Sequence, residues 1–236
     1  MKADTQLALS VHLPDDETFK SYQGSVNDLV IKQIKTFVEQ KLAGSPSING
    51  CYLFGLDGVG KSHLLHAACA HATDQGLSSV CLSLADKDQY AIEMLEGFEQ
   101  FNLVCLDDIQ TLSDSTQWQQ AVFDLFNRVS EQNNLILISG NKSVSELDLT
   151  LPDLLSRLSW GYVEQVKPLS DTDKLVALQF RAQQRGMVLS DEVGSYLLTH
   201  HSRDMKKLIE SLDILDKASI REQRKITIPF IKSTLF

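Results

Sequence analysis

Gly55-Leu56-Asp57-Gly58-Val59-Gly60-Lys61-Ser62 matches the pattern G-x-x-x-x-G-K-[ST]. The apolar run CYLFG (51–55) leads into it and the helix-periodic stretch beginning GKSHLLHA leaves it, so it stands between a strand and a helix, where such a motif must stand. Glycines let backbone N–H groups curl around phosphates, and the helix that follows presents the positive end of its dipole. Lys61 then reaches the terminal phosphates and the Ser62 hydroxyl ligates magnesium. Gly55, Asp57, Gly58, Val59, Gly60, Lys61, Ser62 and the adjoining His63 make up the expected phosphate-contacting stretch. As side chains, His63, His66 and His71 read as ordinary residues of the following helix, with no chemistry of their own.

A second stretch supports the first. NLVCLDD (102–108) is an apolar strand that ends in two carboxylates, Asp107 and Asp108. Two acids at a strand end would by themselves only begin a turn. Downstream of a P-loop they have roles: Asp107 holds magnesium, directly or through water, and Asp108 orients or deprotonates an attacking water.

Between residues 47 and 167 five apolar runs alternate with segments that are mostly helical in period. The runs are CYLFG (51–55), SVCLSL (79–84), NLVCLDD (102–108), LILISG (135–140) and YVEQVK (162–167). They lack a polar alternate face, as strands of a parallel sheet covered on both sides do. After Pro168 only helix-like segments remain, at 170–185, 190–200, 203–222 and 227–235, with cap signals at Ser170, Ser190 and Thr227. The chain therefore divides into an arm (1–17), an α/β domain (18–168) and an all-helical domain (169–236).

Hydrophobic residues are 43% and charged residues 22% of the 236, an ordinary globular balance, and no apolar run nears the roughly 20 residues a membrane helix needs. The N-terminus lacks the features of an export signal, which points to the cytoplasm. Cys51, Cys69, Cys81 and Cys105 form no C-x-x-C pair and read as buried thiols. A net charge of −9 repels nucleic acid, so any work on DNA should go through protein partners.

With these motifs in place, GKSHLLHA, LDDIQTL, LPDLLSRLSWG and SIREQRKITIPFIK together resemble the AAA+ ATPases of the DnaA family, and within it the short Hda-type regulators, over nearly the whole chain. The resemblance implies a P-loop AAA+ domain with a five-stranded parallel sheet in the order 5-1-4-3-2, and a small helical lid that folds over ADP or ATP with Mg2+. It implies roles for residues that spacing alone would leave as surface side chains. Asn141, at the end of the fourth strand, takes the sensor position that faces the γ-phosphate or the water, although DnaA-type relatives often have Asp there. Arg157 takes the arginine-finger position, which points at a neighbouring subunit's nucleotide, and Arg203 takes that of the lid arginine. Asp108, Asn141 and Arg157 are thus the expected catalytic groups. Phe19, Tyr22, Gly24 and Asn27 resemble the segment that wraps the adenine.

Gln6-Leu7-Ala8-Leu9-Ser10 is similar to the Q-L-x-L peptide by which replication proteins dock on the β sliding clamp of DNA polymerase III, with Ser10 where relatives usually have proline. Leu7 and Leu9 would enter an apolar pocket while the Gln6 amide bonds its edge. DnaA itself continues into a DNA-binding domain after its lid, whereas this sequence stops at Phe236, so no direct sequence-specific DNA binding is expected. The leading reading is a clamp-tethered, nucleotide-bound regulator that presents Arg157 to ATP on DnaA and switches initiation off. Its own hydrolysis should be weak, because an externally supplied finger contributes about 10³ to 10⁵ in rate. The alternative is a partner-remodelling or helicase-loading ATPase. A small-molecule kinase fits the sensor, finger and lid positions poorly, and a homodimer is left open.

Overall fold

A computed structural model describes residues 17–44 and 46–235. The five apolar runs form five strands: β1 Gly50–Phe54, β2 Ser79–Ser83, β3 Leu103–Asp107, β4 Leu135–Gly140 and β5 Tyr162–Gln165. All pairings are parallel, in the order β2-β3-β4-β1-β5. Counted from the other edge this is 5-1-4-3-2, as the resemblance implied. The order sets β1, which feeds the P-loop, directly beside β4, with Tyr52 opposite Ile138 and Phe54 opposite Gly140.

Successive side chains of a strand point to opposite faces, and the two faces have separate cores. Cys51, Leu53, Leu103, Cys105, Leu135 and Leu137 pack with Ile34 and Phe37 of α1 (Asp28–Glu39) and with Leu64, Leu65 and Cys69 of α2 (Lys61–Asp74). The alternate residues Tyr52, Val104, Leu106, Ile136 and Ile138 pack with α3 (Thr116–Glu131) and α4 (Pro152–Ser159). Of the inner strands β3 and β4 are wholly buried, and β1 is buried up to its last residue, Phe54. β2 and β5, at the edges, alternate between more and less buried residues, with Val163 40% exposed, so the expectation of two-sided burial fails there. The crossover from β2 to β3 carries no α-helix. It consists of three short 3-10 turns, because Tyr90, Ala91 and Glu96 are extended and Gly97 is left-handed at φ 88, which stops each turn from propagating.

Beyond β5 the helices α5 (Asp171–Gln184), α6 (Asp191–His200), α7 (Met205–Glu222) and α8 (Ile228–Leu235) enclose their own core of Leu178, Leu197, Leu208, Leu212, Leu215 and Phe230. Ser170 and Ser190 cap α5 and α6, accepting from the N–H groups of Asp173 and Val193. The Thr227 hydroxyl accepts from Phe230 N–H at the start of α8. One start was misplaced: Asp204 caps α7 by accepting from Lys207 N–H at 3.0 Å, so Arg203 precedes the helix. All four cysteines are free, and Cys51, Cys69 and Cys105 are buried. Gln6, Leu7 and Leu9 lie outside the described residues, among which no helix is long and apolar enough to cross a membrane.

Candidate functional site

The loop between β1 and α2 is shaped by two left-handed glycines, Gly58 at φ 77 and Gly60 at φ 96. Space reinforces the requirement. A Cβ on Gly58 would lie 2.7 Å from the Asp204 carboxylate of the lid, and one on Gly60 2.7 Å from the Tyr22 ring. Lys61, the first residue of α2, is 6% exposed, and its ammonium donates to the carbonyls of Gly55 at 2.8 Å and Leu56 at 3.0 Å. Asp57, 4.0 Å away and 84% exposed, adds little to that arrangement.

Asp107 ends β3 and is 6% exposed. Burial pushes its carboxyl above the usual range and the Asp108 charge adds to this, against the pull of hydrogen bonds from Ser139 and Ser62. Ser62 follows Lys61 in the first turn of α2, near enough to Asp107 to draw that carboxyl's pKa down. A hydroxyl and a carboxylate suit Mg2+, which takes hard oxygen donors and usually completes its shell with phosphate oxygens and water. No cluster of three or more acidic, histidine or cysteine side chains able to hold a metal occurs among the described residues.

Asp108 is left-handed at φ 62, a conformation that is unfavourable for a non-glycine residue. It is held there by neighbours absent from the sequence reading: Ser139 Oγ accepts from its N–H at 3.1 Å, and Gln110 Nε2 donates to its Oδ1 at 2.8 Å. Gln110 Oε1 in turn accepts from the Asn141 N–H at 3.2 Å, so one glutamine joins the acid to the sensor position. The Asn141 side-chain oxygen is buried without a protein partner among the described residues. Asn141 lines a hollow with Gly55 and Leu56, apart from the cavity at the P-loop.

A cavity of about 570 Å³ brings together residues 57–63, Asp108, Glu17 and Tyr22 with Leu169, Ala177, Arg181, Met205 and Lys206 of the lid side. Tyr22 lies in the wall as expected, donating to Val59 O at 2.9 Å, and burial, partly offset by the Asn27 bond, raises its hydroxyl to about 12. Gly24 and Asn27 hold the segment from behind. Gly24 passes close to Leu169, while Asn27 donates to Tyr22 Oη and Lys167 O and accepts from Lys167 N–H, tying the segment to the end of β5. Phe19 packs edge-on to His71.

The three histidines are not plain helix residues. His63 Nε2 bonds Thr18 O at 2.9 Å, and Arg181 Nη2 lies 3.2 Å from its Nδ1. His66 Nδ1 lies 2.5 Å from the Glu17 carboxylate and His71 Nε2 3.0 Å from that of Glu39. Burial draws the His66 pKa down, but the Glu17 bond and charge outweigh it and leave the ring raised. Glu17 moves down, because the His66 bond and the charges of His63, His66 and Arg181 overcome its own burial.

The expected arginines stand outside this cavity. Arg203 is 71% exposed, with Nη2 3.5 Å from Asp171 Oδ2. Arg157, on α4, lies over the ring of Trp160 at 4.8 Å, and Trp160 is itself 71% exposed. The lid cations that do line the cavity, Arg181 and Lys206, were missed. The signal for Arg181 was available: it is one turn from Ala177 and Leu178, on the buried face of α5.

A family model described as the bacterial DnaA ATPase domain matches residues 13–165, and one described as the Hda lid domain matches residues 171–235. Among solved structures, domain III of the Thermotoga maritima replication initiation protein DnaA superposes with a TM-score of 0.78 at 18% identity, covering 94% of this chain and 96% of that one. AMPPCP-bound DnaA from Aquifex aeolicus gives 0.70 at 21% identity over 90% and 71% of the two chains. The Thermotoga maritima RuvB Holliday junction branch migration motor gives 0.68 at 12% over 93% and 71%. At these identities the structural likeness is one of fold.

Proposed function

The chain belongs to the bacterial DnaA ATPase family and continues into an Hda-type lid, and from this we propose that it is a nucleotide-bound regulator that docks on the β sliding clamp and promotes hydrolysis of ATP held by DnaA. ADP or ATP occupies the cavity between P-loop and lid, with Lys61 on the terminal phosphates and Ser62 and Asp107 holding Mg2+, which supplies positive charge to the phosphates. Nucleotide binding by the chain is supported by its family and by Lys61, Ser62 and Asp108 lining one cavity with the lid.

The observation that carries the regulatory reading is the placement of Arg157. Its guanidinium stacks on an exposed tryptophan and stands apart from the wall of the chain's own cavity, so its charge is available to the nucleotide of an adjoining subunit. Charge that develops on a transferring phosphoryl group is stabilised by such a planar donor. Gln6, Leu7 and Leu9 would deliver the protein to clamp on DNA in the cytoplasm, and the net charge of −9 leaves sequence-specific DNA contact to its partners. The test is hydrolysis of DnaA-bound ATP with and without this protein and DNA-loaded clamp. Stimulation that needs both supports the reading, and none in the complete mixture overturns it.

A specific feature favours a second reading, a remodelling ATPase: Asp108 lines the chain's own nucleotide cavity and is held by Ser139 and by Gln110, which also bonds the Asn141 backbone. Brisk hydrolysis of free ATP by the protein alone would prefer it.

A further inference from the structure

Arg181 is 3% exposed, which for a guanidinium is costly unless charged or hydrogen-bonding partners meet it. Among the described residues, two of its partners come from other parts of the chain. Nη2 is 3.2 Å from Nδ1 of His63, in the first turn of α2, and 3.8 Å from Oε1 of Glu17, in the segment before α1. Arginine can only donate, so Nδ1 of His63 accepts and the ring proton sits on Nε2, which donates to Thr18 O at 2.9 Å. The other Glu17 oxygen bonds His66 Nδ1 at 2.5 Å.

We propose that Arg181 is a positioning residue for nucleotide binding, the latch that holds lid helix α5 against the first turn of the P-loop helix and the Glu17–Thr18 segment. This rests on the nucleotide reading of the cavity. His63 follows Ser62 directly, so the latch acts one residue from the magnesium-ligating hydroxyl. Opening the lid would break these Arg181 contacts and part the guanidinium from the carboxylate and imidazole that meet it. Nucleotide bound between lid and loop therefore meets walls already in place, and less ordering is charged against its affinity. Arg203 cannot do this, since its side-chain partner Asp171 is on the lid itself.

The experiment is calorimetric titration of Mg·ADP into the parent protein, Arg181→Gln, Arg181→Lys and Lys61→Ala, with hydrogen exchange followed at residues 17–22, 55–63 and 171–184. Arg181→Gln should weaken ADP on the order of 10-fold, within the roughly 5- to 150-fold span usual for coupling between two elements. At saturating ADP it should keep protection at 55–63 yet lose the ADP-induced protection of 17–22 and 171–184. Arg181→Lys should recover part of both, through its charge on Glu17. Unchanged affinity with retained protection in Arg181→Gln overturns the latch, even if that variant melts earlier. Should Arg181→Gln not fold, Glu17→Gln reads the same contact and must show the same selective loss for the proposal to stand. A parent protein that does not bind Mg·ADP overturns the nucleotide reading and the latch with it, whereas parent binding that Lys61→Ala weakens and Arg181→Gln leaves unchanged overturns the latch alone.

Discussion

Ser139, wholly buried on β4, donates its hydroxyl to Asp107 at the end of β3 and accepts from the N–H of Asp108 with the same oxygen. One small side chain thus places both acids, one in a buried carboxylate bond and the other at a strained backbone angle. Ser139→Ala leaves Asp107 short of a donor and Asp108 N–H without its acceptor. We expect a loss of about 1–3 kcal/mol in urea unfolding, the usual consequence of stranding buried polar groups. The Mg2+ concentration needed for half-maximal ADP binding should rise as well, and an unchanged requirement would remove Asp107 from the metal site.

Lys61→Ala should fold, because the carbonyls of Gly55 and Leu56 that it releases belong to a loop bordering the cavity, where water can replace the ammonium. Its affinity for Mg·ADP should fall by about 1.5–3 kcal/mol, or roughly 10- to 150-fold, as expected for losing a charged donor to phosphate. Calorimetric titration measures it.

The pair Glu17 and His66 gives a pH signature. His66 is raised above its ordinary 6.5, so its stabilising contribution is complete below that value and is lost as pH rises through the higher folded pKa. Glu17 is lowered from 4.5, so its contribution is present above that value and is lost as pH falls through the folded pKa. The pair is therefore strongest between about pH 4.5 and 6.5. The stability gap between the parent and His66→Gln should reach about 1 kcal/mol there and shrink towards pH 8. A gap that grows with pH would mean that the ring acts in its neutral form.

Arg157→Ala and Arg157→Lys should each bind ADP as the parent does, since Arg157 is absent from the cavity wall, and yet lose stimulation of DnaA-bound ATP hydrolysis by on the order of 10³. Lysine keeps the charge but not the planar fork. Stimulation at parental level by a folded alanine variant would exclude the trans-acting role.

Replacing Gln6 and Leu7 together by alanine should abolish capture on immobilised clamp without changing the affinity for ADP, as neither residue belongs to the P-loop or the acid pair. Retained capture would discard the peptide.

Motif chemistry made the P-loop and the acid pair readable before any fold was known, because a strand, a glycine turn and a helix are consecutive in the chain and their signals are local. The five apolar runs and the Ser170 and Ser190 caps were readable for the same reason, since each depends on residues within a few positions. The sheet order came from resemblance alone, as nothing in a single strand says which neighbour it pairs with. Ser139 beside Asp107, Gln110 against Asn141, and Arg181 on His63 join residues 31 to 118 positions apart, and they exist only once strands and lid have packed. Arg181 shows why most plainly. A charged residue on a helix suggests solvent from its type, and it becomes a buried latch only where the fold brings Glu17 and His63, from two distant segments, within reach of its guanidinium.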